Sequence, residues 1–391
     1  MELNILLQDM VILMEICKLS QNTIEVFLRM KLHLICFEAL FLLKLEYILR
    51  YYFLEGEKKL ANVTPKKWHI RQVSRSEWSD YWLTCPKQNL LQSWEYGAAK
   101  EASDGWKPKR LVIFNENSQP IALVQVLTRC LPILGGIARI NRGPLLMTDD
   151  PKSDVQLMID LLALLILEAR RQLWWIVQIA PEICDSEYAC QRLQGLGFSK
   201  QSNIAWASSL IDLSLSADEL YERLNRRWKR ALLKVSGLGV IVKSAELTEK
   251  RLANVLRSYS DLQKLNKFVG IDTRLIKEMS KSKSADWDFN LFVAELVTES
   301  SLKEEVGYRV TIRNGHTVLD FLVSTNEKGR HVGANSALYW HAILQAKESG
   351  CRWFDVGGFN ELTSQGISDF KRGLNGTPYK LIGEWRRWFW S

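Results

Sequence analysis

The run NSALYWHAILQAKESGCRWFDV, Asn335 to Val356, carries the reading of the fold. Asn335 or Ser336 is a candidate helix cap, Asn335 to Glu348 is expected as the helix, and Gly350 supplies the stop. Arg352 to Val356 then reads as a short apolar strand. The stretch from Asp150 to Ala180 has the same grammar. Asp150 is placed to cap and Pro151 to open a helix running to about Gln172. Its face from Leu157 to Leu167 is almost wholly apolar, and Trp174 to Ala180 follows as a core strand. A hairpin or meander precedes each unit. Arg110 to Phe114 and Ile121 to Thr128 join through Asn115-Glu116-Asn117-Ser118 before the first. Asp288 to Leu296, Glu305 to Ile312 and Thr317 to Ser324, with a turn at Arg313-Asn314-Gly315, come before the second.

Working outward, Trp68 to Val73 alternates as a strand, and Ser76 to Trp82 reads as a helix stopped by Cys85-Pro86. Another helix ends at Gly195, and Gly197-Phe198 opens a strand. Leu210 to Leu213 is a short strand, Ala217 to Val235 one helix, Val240 to Lys243 a strand and Thr248 to Leu265 a helix. Two copies of one α/β (α+β) fold explain 391 residues better than a single sheet, because one core rarely organises a chain of this length.

Composition narrows the chemistry. With 47% hydrophobic and 25% charged residues the chain is globular rather than disordered, and the net charge of +8 favours anionic partners: phosphates, nucleotides, nucleic acid or an acidic membrane face. The seven cysteines are scattered without a C-x-x-C pair, which fits a reducing compartment and neither a disulfide framework nor a zinc site. Five histidines with no H-E-x-x-H, and no G-x-S-x-G, make a zincin or an α/β-hydrolase a poor fit. No P-loop or GxGxxG occurs, since Gly135-Gly136 and Gly237-Leu238-Gly239 are too short.

The first sixty residues are apolar, but charges from Asp9 to Glu46 interrupt every run before the ~20 residues a membrane span requires. No secretory start is visible. Residues 1–64 are expected as a helical extension lying on the protein body, a partner or a membrane surface, or as leader from a mis-set start.

The sharpest chemical segment is Phe354-Asp355-Val356-Gly357-Gly358 followed by Gly366 to Gly373 and Leu374-Asn375-Gly376-Thr377-Pro378. A strand ending in Asp355 and the pair Gly357 and Gly358 lets backbone approach a ligand closely, and the next helix carries Phe370 and Lys371 at its C-terminal end. Lys371 there either stabilises an oxyanion, clamps a phosphate, or merely caps its helix dipole. Arg223, Arg226 or Arg227, Arg230 and Lys234 recur at spacings of three and four opposite Leu220, Leu224, Trp228 and Leu232. That basic stripe suits a phosphate backbone or anionic head groups, or is simply a solvated face. Trp385 to Trp390 reads either as a final sheet strand or as an interfacial patch.

Four segments in order resemble the Fem-type aminoacyl transferases of the GNAT acyltransferase superfamily. They are Leu91-Gln92-Ser93-Trp94-Glu95-Tyr96-Gly97 with Lys100 and Trp106; Asn141-Arg142-Gly143-Pro144; Gly350 to Gly358; and Phe370-Lys371-Arg372-Gly373 ending at Ile382-Gly383-Glu384. The resemblance implies two tandem GNAT-like domains, at 65–208 and 209–391. It implies transfer of an aminoacyl or acyl group to an amine of an anionic cell-envelope precursor, as in peptidoglycan interpeptide bridges. The setting would be the cytoplasm or the inner face of the membrane. No permanently bound cofactor or metal is implied; the acyl donor would be aminoacyl-tRNA or acyl-CoA. Lys371, beside Phe370, would lie at the donor and reaction centre, and Lys100 where precursor phosphate or sugar binds. Arg142, Trp94, Gly357, Gly358 and Asn335 complete the expected substrate site, with Asp355 or Glu361 as proton acceptor, and Arg223, Arg227, Arg230 and Lys234 as the anion- or RNA-binding face.

Departures accompany the match. Phe268 to Arg274 lacks the tyrosine that cell-wall members place there, and Ile179-Ala180-Pro181-Glu182 lacks an acidic residue two before the proline. The signature that cradles coenzyme A in ordinary GNAT enzymes is replaced by His331-Val332-Gly333-Ala334-Asn335, which points away from acetyl-CoA. The remaining readings are a coenzyme A-dependent N-acyltransferase of polysaccharide or lipid biosynthesis, and a non-catalytic member that holds RNA or a membrane.

Overall fold

A computed structural model describes residues 67–131, 135–148, 154–202, 205–266, 270–297 and 302–389. The extension expected over 1–64, the Asp150-Pro151 start and Phe268-Val269 lie outside the described residues. The first half contains β1 (His69–Gln72), α1 (Arg75–Thr84), α2 (Trp94–Asp104), β2 (Lys107–Phe114), β3 (Pro120–Leu131), β4 (Gly135–Asn141), β5 (Leu145–Leu146), α3 (Asp154–Arg171), β6 (Trp174–Ala180), α4 (Glu187–Gly195) and β7 (Ser199–Lys200). The second contains β8 (Ala207–Asp212), α5 (Ala217–Arg223), α6 (Arg226–Ser236), β9 (Val240–Ala245), α7 (Glu249–Asn266), α8 (Thr273–Met279), β10 (Trp287–Val297), β11 (Lys303–Asn314), β12 (Thr317–Thr325), α9 (Glu327–Val332), α10 (Ala334–Glu348), β13 (Trp353–Asp355), α11 (Gln365–Arg372), β14 (Thr377–Lys380) and β15 (Trp385–Trp388).

The strands form two mixed sheets, ordered β1-β2-β3-β4-β6-β15-β7 with β5 on β3, and β14-β8-β13-β12-β11-β10-β9. Each halves' parallel pair, β4 with β6 and β12 with β13, is joined through a helix, α3 or α9–α10, as parallel strands require. The repeated helix–strand unit is therefore real. The next position in the first sheet is filled from the second half, since β15, the last strand described, lies between β6 and β7, while in the second sheet β8 lies between β13 and β14. Sheet membership thus crosses the 65–208 and 209–391 division at β15, while β8 starts two residues before that boundary and belongs to the second sheet. Trp385 to Trp388 is a sheet strand, and Trp385 is buried at 1% exposure.

Two expectations are corrected. Ala217 to Val235 is two helices, because Asn225 caps α6 by accepting from the Trp228 N–H at 2.9 Å after the chain has turned at Leu224. The apolar spacing runs unbroken across that turn, with Leu220, Leu224 and Trp228 all buried, so periodicity alone hides it. Neither Asn335 nor Ser336 caps α10. Gly333, left-handed at φ 76°, ends α9 and begins α10, leaving the Asn335 side chain free for other work.

Candidate active site

The Gln92–Gly97 segment builds the floor on which the first-half site residues stand. Gln92, fully buried, donates to Asn141 O at 2.7 Å and accepts from the Gln125 N–H at 2.7 Å, so one side chain ties the start of α2 to β3 and β4. Ser93 caps α2. Gly97 is needed because a Cβ there would come within 2.0 Å of the Gln125 side chain. Clamped this way, α2 presents Lys100 to a cleft of about 560 Å³. Arg139, Arg142, Trp106 and Trp206 line the same cleft, and Leu381, Gly383 and Glu384 close it from the other end of the chain. Lys100 is ion-paired with Asp104.

A buried polar cluster adjoins the cleft. Asp355, 4% exposed at the end of β13, accepts from the Ser208 hydroxyl, from Gly357 N–H at 3.0 Å and from the Tyr379 hydroxyl at 2.6 Å. The Tyr379 oxygen in turn accepts from Trp206 Nε1 at 3.0 Å and from Arg142 at 3.2 Å. Arg142 grips Glu182 with two bonds of 2.8 and 2.6 Å, and its backbone is left-handed at φ 48°. Burial opposes the Arg142 charge, but Glu182, Tyr379 and Asp355 outweigh it and hold the pKa above the ordinary value. Burial likewise raises the Tyr379 pKa, so its hydroxyl stays a donor.

Lys371 occupies the far side of this cluster. Its Nζ donates to Gly358 O at 3.1 Å, and a Cβ on Gly357 would sit 3.1 Å from that nitrogen and 2.8 Å from Asp320 O. Gly357 is left-handed, φ 75°. Gly358 passes close to the Trp206 ring, which faces the cleft. Desolvation lowers the Lys371 pKa below that of a free lysine, with Asp320 the chief opposing influence. Behind it, Arg309 pairs with Asp320, donates to Asn335 Oδ1 at 2.6 Å, and lies 3.9 Å over the Tyr339 ring. The Tyr339 hydroxyl donates to Val356 O at 2.9 Å.

The expected residues are therefore divided. Lys100 and Arg142 line the cleft, whereas Asp355, Gly357, Gly358 and Lys371 are absent from its lining and gather beside Tyr379 and Trp206, with Asn335 reached through Arg309 and Asp320. Trp94 stands apart, sandwiched by Arg110 at 3.7 Å, Arg75 at 5.3 Å and the edge of Trp78. Phe370 packs on Trp228 at 4.5 Å as part of the second-half core. Glu361 sits in an exposed pair with Lys380 at 2.9 Å, and that lysine lowers its pKa. Asp355, holding three donors, is a positioning carboxylate rather than an open base. The basic residues remain exposed, but Arg223 belongs to α5 whereas Arg227, Arg230 and Lys234 belong to α6.

Reading by sequence missed Glu182, Ser208, Trp206, Tyr379, Arg309 and Asp320. The quoted run Leu374 to Pro378 stops one residue before Tyr379, and Glu182 follows the proline where an acid was sought before it. Among the described residues no cluster suited to a metal ion occurs, and no helix is long and apolar enough to cross a membrane.

A family model described as an acetyltransferase (GNAT) domain matches residues 222–372. No curated protein matches the chain. The crystal structure of FemX superposes with a TM-score of 0.66 at 14% identity, covering 82% of this chain and 97% of that one. A tandem GNAT protein from the clavulanic acid biosynthesis pathway gives a TM-score of 0.45 at 10% identity, over 83% and 99% of the two chains. L-PGS from Bacillus licheniformis gives 0.44 at 12% identity, over 81% and 92%. With two mixed sheets, each built around a parallel strand pair, the described residues share the fold of FemX, and residues 222–372 match the acetyltransferase (GNAT) domain.

Proposed function

We propose that the chain transfers an aminoacyl or acyl group to an amine of an anionic cell-envelope precursor, of the kind that carries a peptidoglycan interpeptide bridge. The observation that carries this reading is one juxtaposition: a cleft with cations at Lys100 and Arg139 is walled by Trp206, and Gly358, whose carbonyl accepts from Lys371 at 3.1 Å, lies against that ring. In the reaction an amine nitrogen attacks the donor carbonyl, a C–N bond forms, and the ester or thioester bond to the donor breaks as the amine gives up a proton. The Lys371 ammonium stabilises the developing oxyanion. Lys100 and Arg139 hold precursor phosphate, and the aromatic walls Trp106 and Trp206 take its sugar. Arg142, saturated by Glu182 and Tyr379, keeps Trp206 and Asp355 in register instead of binding phosphate. Proximity in the cleft supplies much of the acceleration.

The donor is proposed as aminoacyl-tRNA, for which the exposed cations Arg227, Arg230 and Lys234 offer a backbone-binding face. The acetyltransferase domain match over 222–372 favours acyl-CoA as the second reading, with a sugar or lipid amine as acceptor. The test offers purified protein a nucleotide-linked peptidoglycan precursor bearing a free stem amine, with charged tRNA in one reaction and acetyl-CoA in another. A product heavier by one amino-acid residue supports the first reading, and by one acetyl group the second. No change of precursor mass with either donor, from folded protein, defeats the proposed acceptor.

A further inference from the structure

Strands β10, β11 and β12 show a second concavity on the face that α10 covers. Residues two apart on a strand share a face, and the register pairs Asp288 with Arg313 and Asn290 with Thr311. These four point toward α10, where a sheet normally packs large apolar side chains. The helix answers with Ala342 and Ala346, which bring only methyl groups. Polar strands under small helical residues leave a chamber of about 260 Å³, whose mouth at Ser284, Ala285 and Ser349 is exposed. It is distinct from the candidate active site: Asn335 and Ala346 are eleven residues apart on α10, or about 16 Å at the helical rise.

The charges in this chamber are not spent on each other. Although directly opposed in register, Asp288 pairs with the exposed Lys283 at 3.1 Å, while Arg313 Nε donates to Gly315 O at 3.2 Å. The terminal nitrogens of Arg313 and the amides of Asn290 and Gln345 make no hydrogen bond to another described residue. These groups are half-open to solvent, and a cation, an anion and two amides converging on one concavity describe their ligand.

We propose that this chamber is a second binding site, taking a free α-amino acid with its carboxylate on Arg313 and its ammonium on Asp288. Isothermal titration of the full chain with each of the twenty L-amino acids tests it, with inorganic phosphate as the comparison probe. At least one amino acid gives saturable binding, weakened about tenfold or more by Arg313→Met. Ala346→Leu, which fills the chamber without touching a charge, abolishes it, and circular dichroism verifies that both variants are folded. Absence of saturation by any amino acid up to about 10 mM, a range in which binding weaker than about 3 kcal/mol begins, overturns the proposal. Phosphate binding alone, or amino-acid binding that survives both substitutions, overturns it equally.

Discussion

The parallel strand pairs of the two halves differ in how far they stay zipped. In the first half β4 and β6 remain paired from Gly136 with Trp174 to Asn141 with Ala180. In the second, β12 and β13 pair only at Thr317, Val318 and Leu319 with Trp353, Phe354 and Asp355, after which β12 continues to Thr325 paired with β11 but not with β13. A closed pair satisfies its own backbone. An open one leaves carbonyls and amides that must find other partners. Here Lys371 takes Gly358 O, Tyr339 takes Val356 O, and Asp355 takes Gly357 N–H. The titratable groups of the second half therefore gather at the split because the split created the demand for them. The first half, without a split, contributes a wall of the cleft.

The crossing strand β15 is the severest point at which to break the comparison. Trp385→Ala removes a fully buried ring from β15 and is expected to cost about 3–5 kcal/mol in urea unfolding. Because β15 binds the first sheet to the second half, the loss should appear as one transition; two separate transitions would show that the halves fold independently. Lys371→Ala is expected to lower turnover about 100-fold with an unchanged melting temperature, since it withdraws the cation that sits on Gly358 O. Turnover within a factor of about two of wild type would remove Lys371 from the chemistry.

Smaller effects sharpen the contrast. Gly357→Ala adds a Cβ 2.8 Å from Asp320 O at a left-handed position, and should cost about 1–3 kcal/mol while displacing Lys371. Gly105→Ala is also left-handed but meets nothing within 4 Å, so its loss should be smaller, as paired thermal melts will reveal. The subtlest test is the pH profile. Burial lowers the Lys371 pKa from 10.5, so an activity that depends on its ammonium is complete below the lowered value and falls as pH rises through it. Its alkaline limb should therefore lie below pH 10.5, and Lys371→Arg, if active, should move the limb upward. A limb that stays put in that variant assigns the titration to another group.

Local features were legible in the sequence where short-range physics decides them. Trp174 to Ala180 forms a strand over the residues expected, because an unbroken apolar run next to a helix stop leaves little alternative. The equivalence of the 150–180 and 335–356 units was legible for the same reason, and it implied the tandem architecture. Lys371, Asp355 and the glycine pair stood out because a strand ending in glycines is itself a local signal. The turn at Leu224-Asn225 was hidden because apolar spacing continued across it.

What chain order alone determined, then, is which segments fold into which elements, since propensity, capping and periodicity act over a few residues. Partnership was decided only in three dimensions. Asp355 became a positioning group through Ser208 and Tyr379, Arg142 was claimed by Glu182 and Tyr379, and β15 closed a sheet begun more than 300 residues earlier. The physical reason is desolvation: a buried charge or hydroxyl must be matched by whatever donor the packed fold brings within reach, and no local pattern records which one that will be.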